Sequence, residues 1–203
     1  MISDKREVKQ KITTYLAVAM LLALVVLALA SWLLSATTVD GVRSLLSSEG
    51  LRYFFGGFVE MLQQPLLIWL LLLSMAYGSI RGSGIVSMRS TLHGTRRHQA
   101  IALLTVLTVV YIGIIALLTL TPHAVLLSAT GKLWPSPFSR ALVPVIAFCG
   151  IMLSVVYGFM SRRFLTLSDV CRSLADGIAE ASPLLLLYVL GAQLYGALCF
   201  VFV

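Results

Sequence analysis

From Thr13 to Ser35 the chain runs for 23 residues without a charged side chain. At about 1.5 Å per residue, a helix of that length crosses a hydrocarbon core of roughly 30 Å with some tilt. Inside lipid each backbone N–H and C=O must find its partner within the protein, so such a run has few choices besides the α-helix. The pattern recurs at about Pro65–Ile80, Ala100–Thr121, Ser139–Met160 and Pro183–Val203. The expected fold is therefore all-α, a polytopic integral membrane protein of about five transmembrane helices. Composition agrees: 11% of residues are charged, against about 25% in soluble domains. The first run is too long for the apolar part of a signal peptide and no A-x-A site follows it, so it reads as a retained first helix.

Two segments between the runs are amphipathic. In Ala36–Gln64, Leu51, Phe54, Phe55, Phe58 and Leu62 recur every three to four residues, opposite Arg52 and Glu60. That spacing predicts a helix with Glu49 in its first turn, lying at the outer surface or leading obliquely into the second span. In Ser168–Ser182, Ser168 is the expected cap. Val170, Leu174, Ile178 and Ala181 form the apolar stripe, and Asp169, Arg172, Asp176 and Glu180 the polar one. The fourth span, within Trp134–Arg163, opens on a Pro135-Ser136-Pro137 turn and carries Pro144 inside it. A spanning helix tolerates such a proline where neighbours satisfy the freed carbonyl.

Basic residues fix the expected orientation. Residues 1–12 form a basic cytoplasmic tail, and residues 13–203 read as a single transmembrane domain. With Arg81, Arg96, Arg97, Arg162 and Arg163 as the topology-setting residues, the inside segments also hold Lys5, Arg6, Lys9, Lys11, Arg89 and Arg172. Only Arg43, Arg52, Lys132 and Arg140 fall outside. An 11-to-4 split over five spans puts the N-terminus in the cytoplasm and the C-terminus outside. The net charge of +7 does not indicate nucleic acid as a partner, because the basic residues sit at helix ends rather than on one face. The lipid bilayer is the expected partner.

Chemistry-bearing residues are sparse. No Asp, Glu, Lys or His lies in the middle of a span, which speaks against an enzyme. Gly82-Ser83-Gly84 lacks the first glycine of a serine-hydrolase elbow. His93, His98 and His123 have no acidic partner at metal spacing, so neither a metal nor another cofactor is expected. Cys149, Cys171 and Cys199 have no C-x-x-C spacing and read as small apolar residues. The polar candidates within spans are Gln193, Thr105, Thr108, Ser74 and Ser154. Gln193, in LYVLGAQLYG, is the candidate substrate-binding residue. Its amide can bond to a neighbouring helix, the commoner role of such a residue, or to a solute, and the flanking Gly191, Ala192 and Gly196 suit close helix packing. Asp176 and Glu180 are expected to form a solvated face pairing with Arg172.

Two blocks resemble the p-aminobenzoyl-glutamate transporter (AbgT) family of bacterial inner-membrane proteins. The first is Val42–Gly84, with VRSLLSSEGLRYFF before a span ending in SG. The second is Pro135–Tyr195, with the SPF turn, VPVI, Tyr157-Gly158 and SDV…LADGIAEASPLLLLYVLGAQLYG, in which Gln193 takes the place of the family's A-A-Q-F glutamine. The resemblance implies an inner-membrane secondary transporter of p-aminobenzoyl-glutamate or of sulfonamide-type antimetabolites, driven by an ion gradient and dimeric. It also implies a shortened member: the connector Arg81–Gln99 stands where the first re-entrant hairpin and its following core helices would lie, and the second hairpin and C-terminal half have no counterpart. What remains resembles the scaffold helices. Three expectations follow: the scaffold part of a transporter, a non-transporting assembly subunit pairing with itself or a partner membrane subunit through Gly191–Gly196, or a decayed remnant.

Overall fold

The computed structural model describes residues 2–37, 43–87, 95–120 and 137–202. These residues form seven α-helices and one short 3-10 turn: α1 (Ile2–Ala36), α2 (Ser48–Gly56), α3 (Phe58–Leu62), α4 (Pro65–Ser83), the turn Ile85–Ser87, α5 (Thr95–Leu120), α6 (Pro137–Met160) and α7 (Leu167–Phe202). No strand occurs among the described residues. Five of the helices contain a stretch long and apolar enough to cross a membrane: Gln10–Ala36, Pro65–Ser83, His98–Thr119, Ala141–Met160 and Leu167–Phe202. Along α5, Val106, Val109 and Ile112 are about 60% exposed, as befits side chains whose solvent is lipid. The outer loop expected before Phe138 lies outside the described residues as far as residue 136, as do Arg89, His93, His123 and Lys132.

Two features of helix extent differ from the sequence expectation. The basic tail is helical from Ile2 and continuous with the first span. The second amphipathic segment and the fifth span are not separate elements; α7 is one helix of 36 residues with Pro183 inside it. Its cap is Thr166 rather than Ser168. The Asp169 carboxylate accepts from the N–H groups of Leu165 and Thr166 at 2.9 Å each, and the Asp169 N–H donates to Thr166 Oγ1 at 3.3 Å. This is a reciprocal capping box, with the acid at the third helical position.

The chain divides into two compact units. One comprises residues 1–67 and 182–203. Here Leu45, Ala197 and Val201 form a buried cluster with Leu27, Ala28, Phe54 and Phe200 packed against it. Ser31 on α1 holds the chain just before α2, accepting the Leu45 N–H at 3.0 Å. The first amphipathic helix is present as α2 and α3, capped by Ser47, whose Oγ accepts from Gly50 N at 3.1 Å. It turns Phe54 to the cluster and stacks Tyr53 on Phe200, with 4.8 Å between centroids. Leu51 and Phe55 of the expected stripe stay exposed.

The other unit comprises residues 68–181. Its close contact is a seam of small residues between α4 and the first half of α7. A Cβ added to Gly78 would lie 2.4 Å from the Ser173 carbonyl oxygen, and one added to Gly177 would lie 2.2 Å from that of Ser74. The buried face of this part of α7 is thus Val170, Ser173 and Gly177, while Leu174 and Ile178 are only half-buried. On the other side of α4, the Ser79 and Ser154 hydroxyls meet at 2.5 Å. Tyr111 of α5 donates to the Val145 carbonyl of α6 at 2.9 Å, one residue beyond Pro144. Past its last turn α6 ends on Arg162 at φ 57°, a left-handed residue. The N–H groups of Arg163 and Phe164 then return to the Gly158 carbonyl at 3.0 and 3.1 Å, which closes the helix end.

Candidate functional site

Among the described residues the buried polar side chains are Ser31, Ser74, Ser79, Ser83, Thr119, Ser154, Ser173 and Gln193, beside the buried phenol of Tyr157; no Asp, Glu, Lys, Arg or His is among them. A buried polar group in a membrane helix must find a partner or lose the hydrogen bond that water gave it. Ser74 and Ser83 donate to carbonyls of their own helix, Leu71 at 2.7 Å and Ile80 at 3.0 Å. Thr119 does the same to Ile115 at 2.8 Å. Ser154 donates to the Ile151 carbonyl at 2.8 Å, which leaves its oxygen to receive Ser79. Ser173 donates across the seam to the Gly78 carbonyl at 2.9 Å. These hydroxyls serve helix and seam.

Gln193 differs. It is 5% exposed, and its Oε1 has no hydrogen-bond partner among the described residues. It shares one face of α7 with Gly196, Ala197 and Val201, all buried. The glycines around it are engaged within the chain: a Cβ at Gly196 would lie 2.3 Å from Met61 Sδ, and one at Gly191 would lie 3.3 Å from Met20 Cε. The small-residue face expected to serve association therefore packs against α1 and α3 at these two positions. A buried, unpaired amide oxygen can accept an N–H or O–H, or coordinate a cation. The hydroxyls of Ser44, Tyr157 and Tyr188 also lack partners.

The other candidates separate clearly. Thr105 and Thr108 bond back to the Ile101 and Leu104 carbonyls at 2.8 Å each. With Ile101, Leu104 and Val109 they line a shallow hollow on one face of α5. Ser74 and Ser154 are engaged as described. Glu180 does not pair with Arg172; it forms an ion pair with Arg81 of α4, 99 residues away in sequence. Local spacing offers no means of finding that partner. The seam did have a sequence signal, since Ser74, Gly78 and Gly82 recur at four-residue intervals, and Ser173, Gly177 and Ala181 repeat the spacing.

The basic residues take positions at helix ends. Arg81 lies in the last turn of α4, Arg96 and Arg97 in the first turn of α5, and Arg162 and Arg163 just past α6. The ends of α4 and α6 lie side by side: a Cβ on Gly84 (φ 70°) would lie 2.5 Å from the Arg163 guanidinium carbon. The positive φ of Gly84 is a conformation that favours glycine.

By sequence, no curated protein matches the chain significantly. In structure it is similar to the crystal structure of the Alcanivorax borkumensis YdaH transporter. The TM-score is 0.72 at 14% identity, over 90% of this chain and 71% of that one. Residues 86–200 match the model of the AbgT putative transporter family. That stretch is more than half of the chain, and the chain belongs to the AbgT transporter family.

Proposed function

We propose that the chain supplies scaffold helices of an ion-coupled inner-membrane transporter for p-aminobenzoyl-glutamate or a related aromatic antimetabolite. It acts with a second copy or with another membrane subunit. The supporting observation is the use of its buried hydroxyls: Ser74, Ser79, Ser83, Ser154 and Ser173 bond to one another or to backbone carbonyls. Ser79, Ser154 and Ser173 bond between helices, Ser74 and Ser83 within their own, and hydroxyls satisfied in this way have no donor left for a solute. Gln193 Oε1 is the group we assign to a solute or a partner helix. The shared end of α4 and α6, with Arg81, Arg162 and Arg163, faces the cytoplasm. The N-terminus then lies inside and the C-terminus outside.

Proteoliposomes containing the purified chain test this reading. With a sodium or proton gradient imposed, uptake of labelled p-aminobenzoyl-glutamate is expected to equal that of protein-free vesicles. Saturable flux that depends on the gradient would show that the chain transports by itself, and the scaffold assignment would fall.

A further inference from the structure

We propose that the end of α6 binds one anionic phospholipid, with the phosphate on Arg162 and Arg163 and an acyl chain along the face of α6 that leads up to them. Charge is the first ground. Neither guanidinium has an ion-pair or hydrogen-bond partner among the described residues, and both side chains are exposed. Arg81, at the end of α4, is already neutralised by Glu180. The nearest acid in sequence, Asp169, is taken up by the cap of α7, where it accepts from the Leu165 and Thr166 N–H groups and from the Thr166 hydroxyl. Two adjacent forks of N–H donors thus stand at one helix end, and such a fork matches two oxygens of a phosphate.

Position is the second ground, and it selects a lipid over a soluble anion. The stretch of α6 suited to cross the membrane ends at Met160, so the two arginines follow directly at headgroup level. Apolar side chains surround them. Leu165 and Leu167 are each 74% exposed, and Val86 is 83% exposed on the turn Ile85–Ser87, which packs against α6. Exposed apolar groups beside unpaired cations suit the boundary between headgroups and acyl chains. On α6 itself, Phe148, Met152, Val155 and Phe159 recur every three to four residues and share one face. The two phenylalanines are exposed, and Met152 and Val155 are half-buried. From Phe148 to Phe159 the lane runs for about 17 Å, close to half of a core of roughly 30 Å and so to the reach of one acyl chain. It ends one turn before Arg162.

A free phosphate would occupy the guanidiniums and leave the lane bare. A helix of a second copy in the same orientation would cover the lane, but it would bring the same two arginines to this level together with an Asp169 that is already engaged. One anionic phospholipid satisfies charge and lane together. The inference stands whichever side of the membrane this end faces, and whether or not the chain transports by itself.

The test places the full chain in phosphatidylcholine nanodiscs with a trace of phospholipid that carries a photoreactive group on its acyl chain. The headgroup of that probe is either phosphatidylglycerol or phosphatidylcholine. After illumination, mass spectrometry of the peptides locates the label. The phosphatidylglycerol probe is expected to label residues 148–159 about tenfold or more over the phosphatidylcholine probe, at about fivefold for each guanidinium. The double variant Arg162→Gln, Arg163→Gln is expected to bring that ratio close to one. The charge-matched pair Arg43→Gln, Arg52→Gln, in the other unit of the chain, is expected to leave it unchanged. A water-soluble glycerophosphate added in millimolar excess is expected not to displace the label. Equal labelling of the unaltered chain by both probes would show that the headgroup is not read. Absence of label from 148–159 with either probe would show that protein covers the lane. Displacement by glycerophosphate would show a site for phosphate alone. Any of these three results overturns the lipid site, and the first two are read on the unaltered chain, independently of how the variants fold.

Discussion

Gly177→Ala tests the seam with the smallest possible change. The added methyl would start 2.2 Å from the Ser74 carbonyl oxygen and 2.8 Å from the Cα and N of Gly78, all backbone atoms that cannot rotate aside. Ordinary contact begins near 3.4 Å, so the two helices must part locally by about 1.2 Å. That displacement carries the 2.9 Å bond from Ser173 to the Gly78 carbonyl out of hydrogen-bond range. Overpacking of this kind costs about 1–3 kcal/mol, and an interhelical hydrogen bond in a membrane protein about 0.6 kcal/mol. The expected destabilisation is therefore about 1.5–3.5 kcal/mol. Unfolding in mixed micelles with rising SDS fraction, followed by tryptophan fluorescence, measures it. Gly113→Ala is the control: nothing lies within 4 Å of its added methyl, and alanine favours the helix over glycine by about 0.5–1 kcal/mol. If Gly177→Ala unfolds at the same SDS fraction as the unaltered chain, the close crossing does not exist.

Two further substitutions address single positions by the same assay. Arg162→Gly is expected to stabilise the chain by about 1 kcal/mol, because Arg162 holds a left-handed φ of 57° that costs a residue with a Cβ but not glycine; a loss of stability would mean that the side chain contributes more than the backbone strain. Gln193→Leu is expected to leave stability unchanged or raise it by about 1 kcal/mol, since the amide oxygen it removes is buried without a partner. A large destabilisation would show that the amide already bonds within the fold.

The positions of the membrane helices were legible in the sequence. Desolvation is a local quantity: a run such as Ala100–Thr121 is apolar whatever surrounds it, and the helical stretch His98–Thr119 follows directly. The first amphipathic helix was legible for the same reason, with Glu49 in its first turn. Gln193 could be singled out as a polar residue in an apolar run. The sequence could not say that Ser74 and Ser154 are satisfied while Gln193 is not, because that depends on what each side chain meets.

Two errors of local reading have clear causes. Pro183 looked like a helix start because an interior proline removes a backbone donor. In α7 an amphipathic helical segment precedes it and an apolar helical one follows, and the helix continues through it. Leu174 and Ile178 looked like the packing face because they are the large apolar residues. The partner surface, α4, presents Ser74, Gly78 and Gly82, and a close crossing of small residues turned Ser173 and Gly177 inward instead.

The sequence alone therefore determined which segments leave water, since transfer into lipid depends on each segment's own side chains. Tertiary structure alone decided which polar groups are used up and which are left over. The pairs Ser79–Ser154, Ser173–Gly78 and Arg81–Glu180 join residues 75, 95 and 99 positions apart. Such pairs form only where packed helices bring distant turns to the same depth, and that packing leaves Gln193 and Asp176 without partners among the described residues.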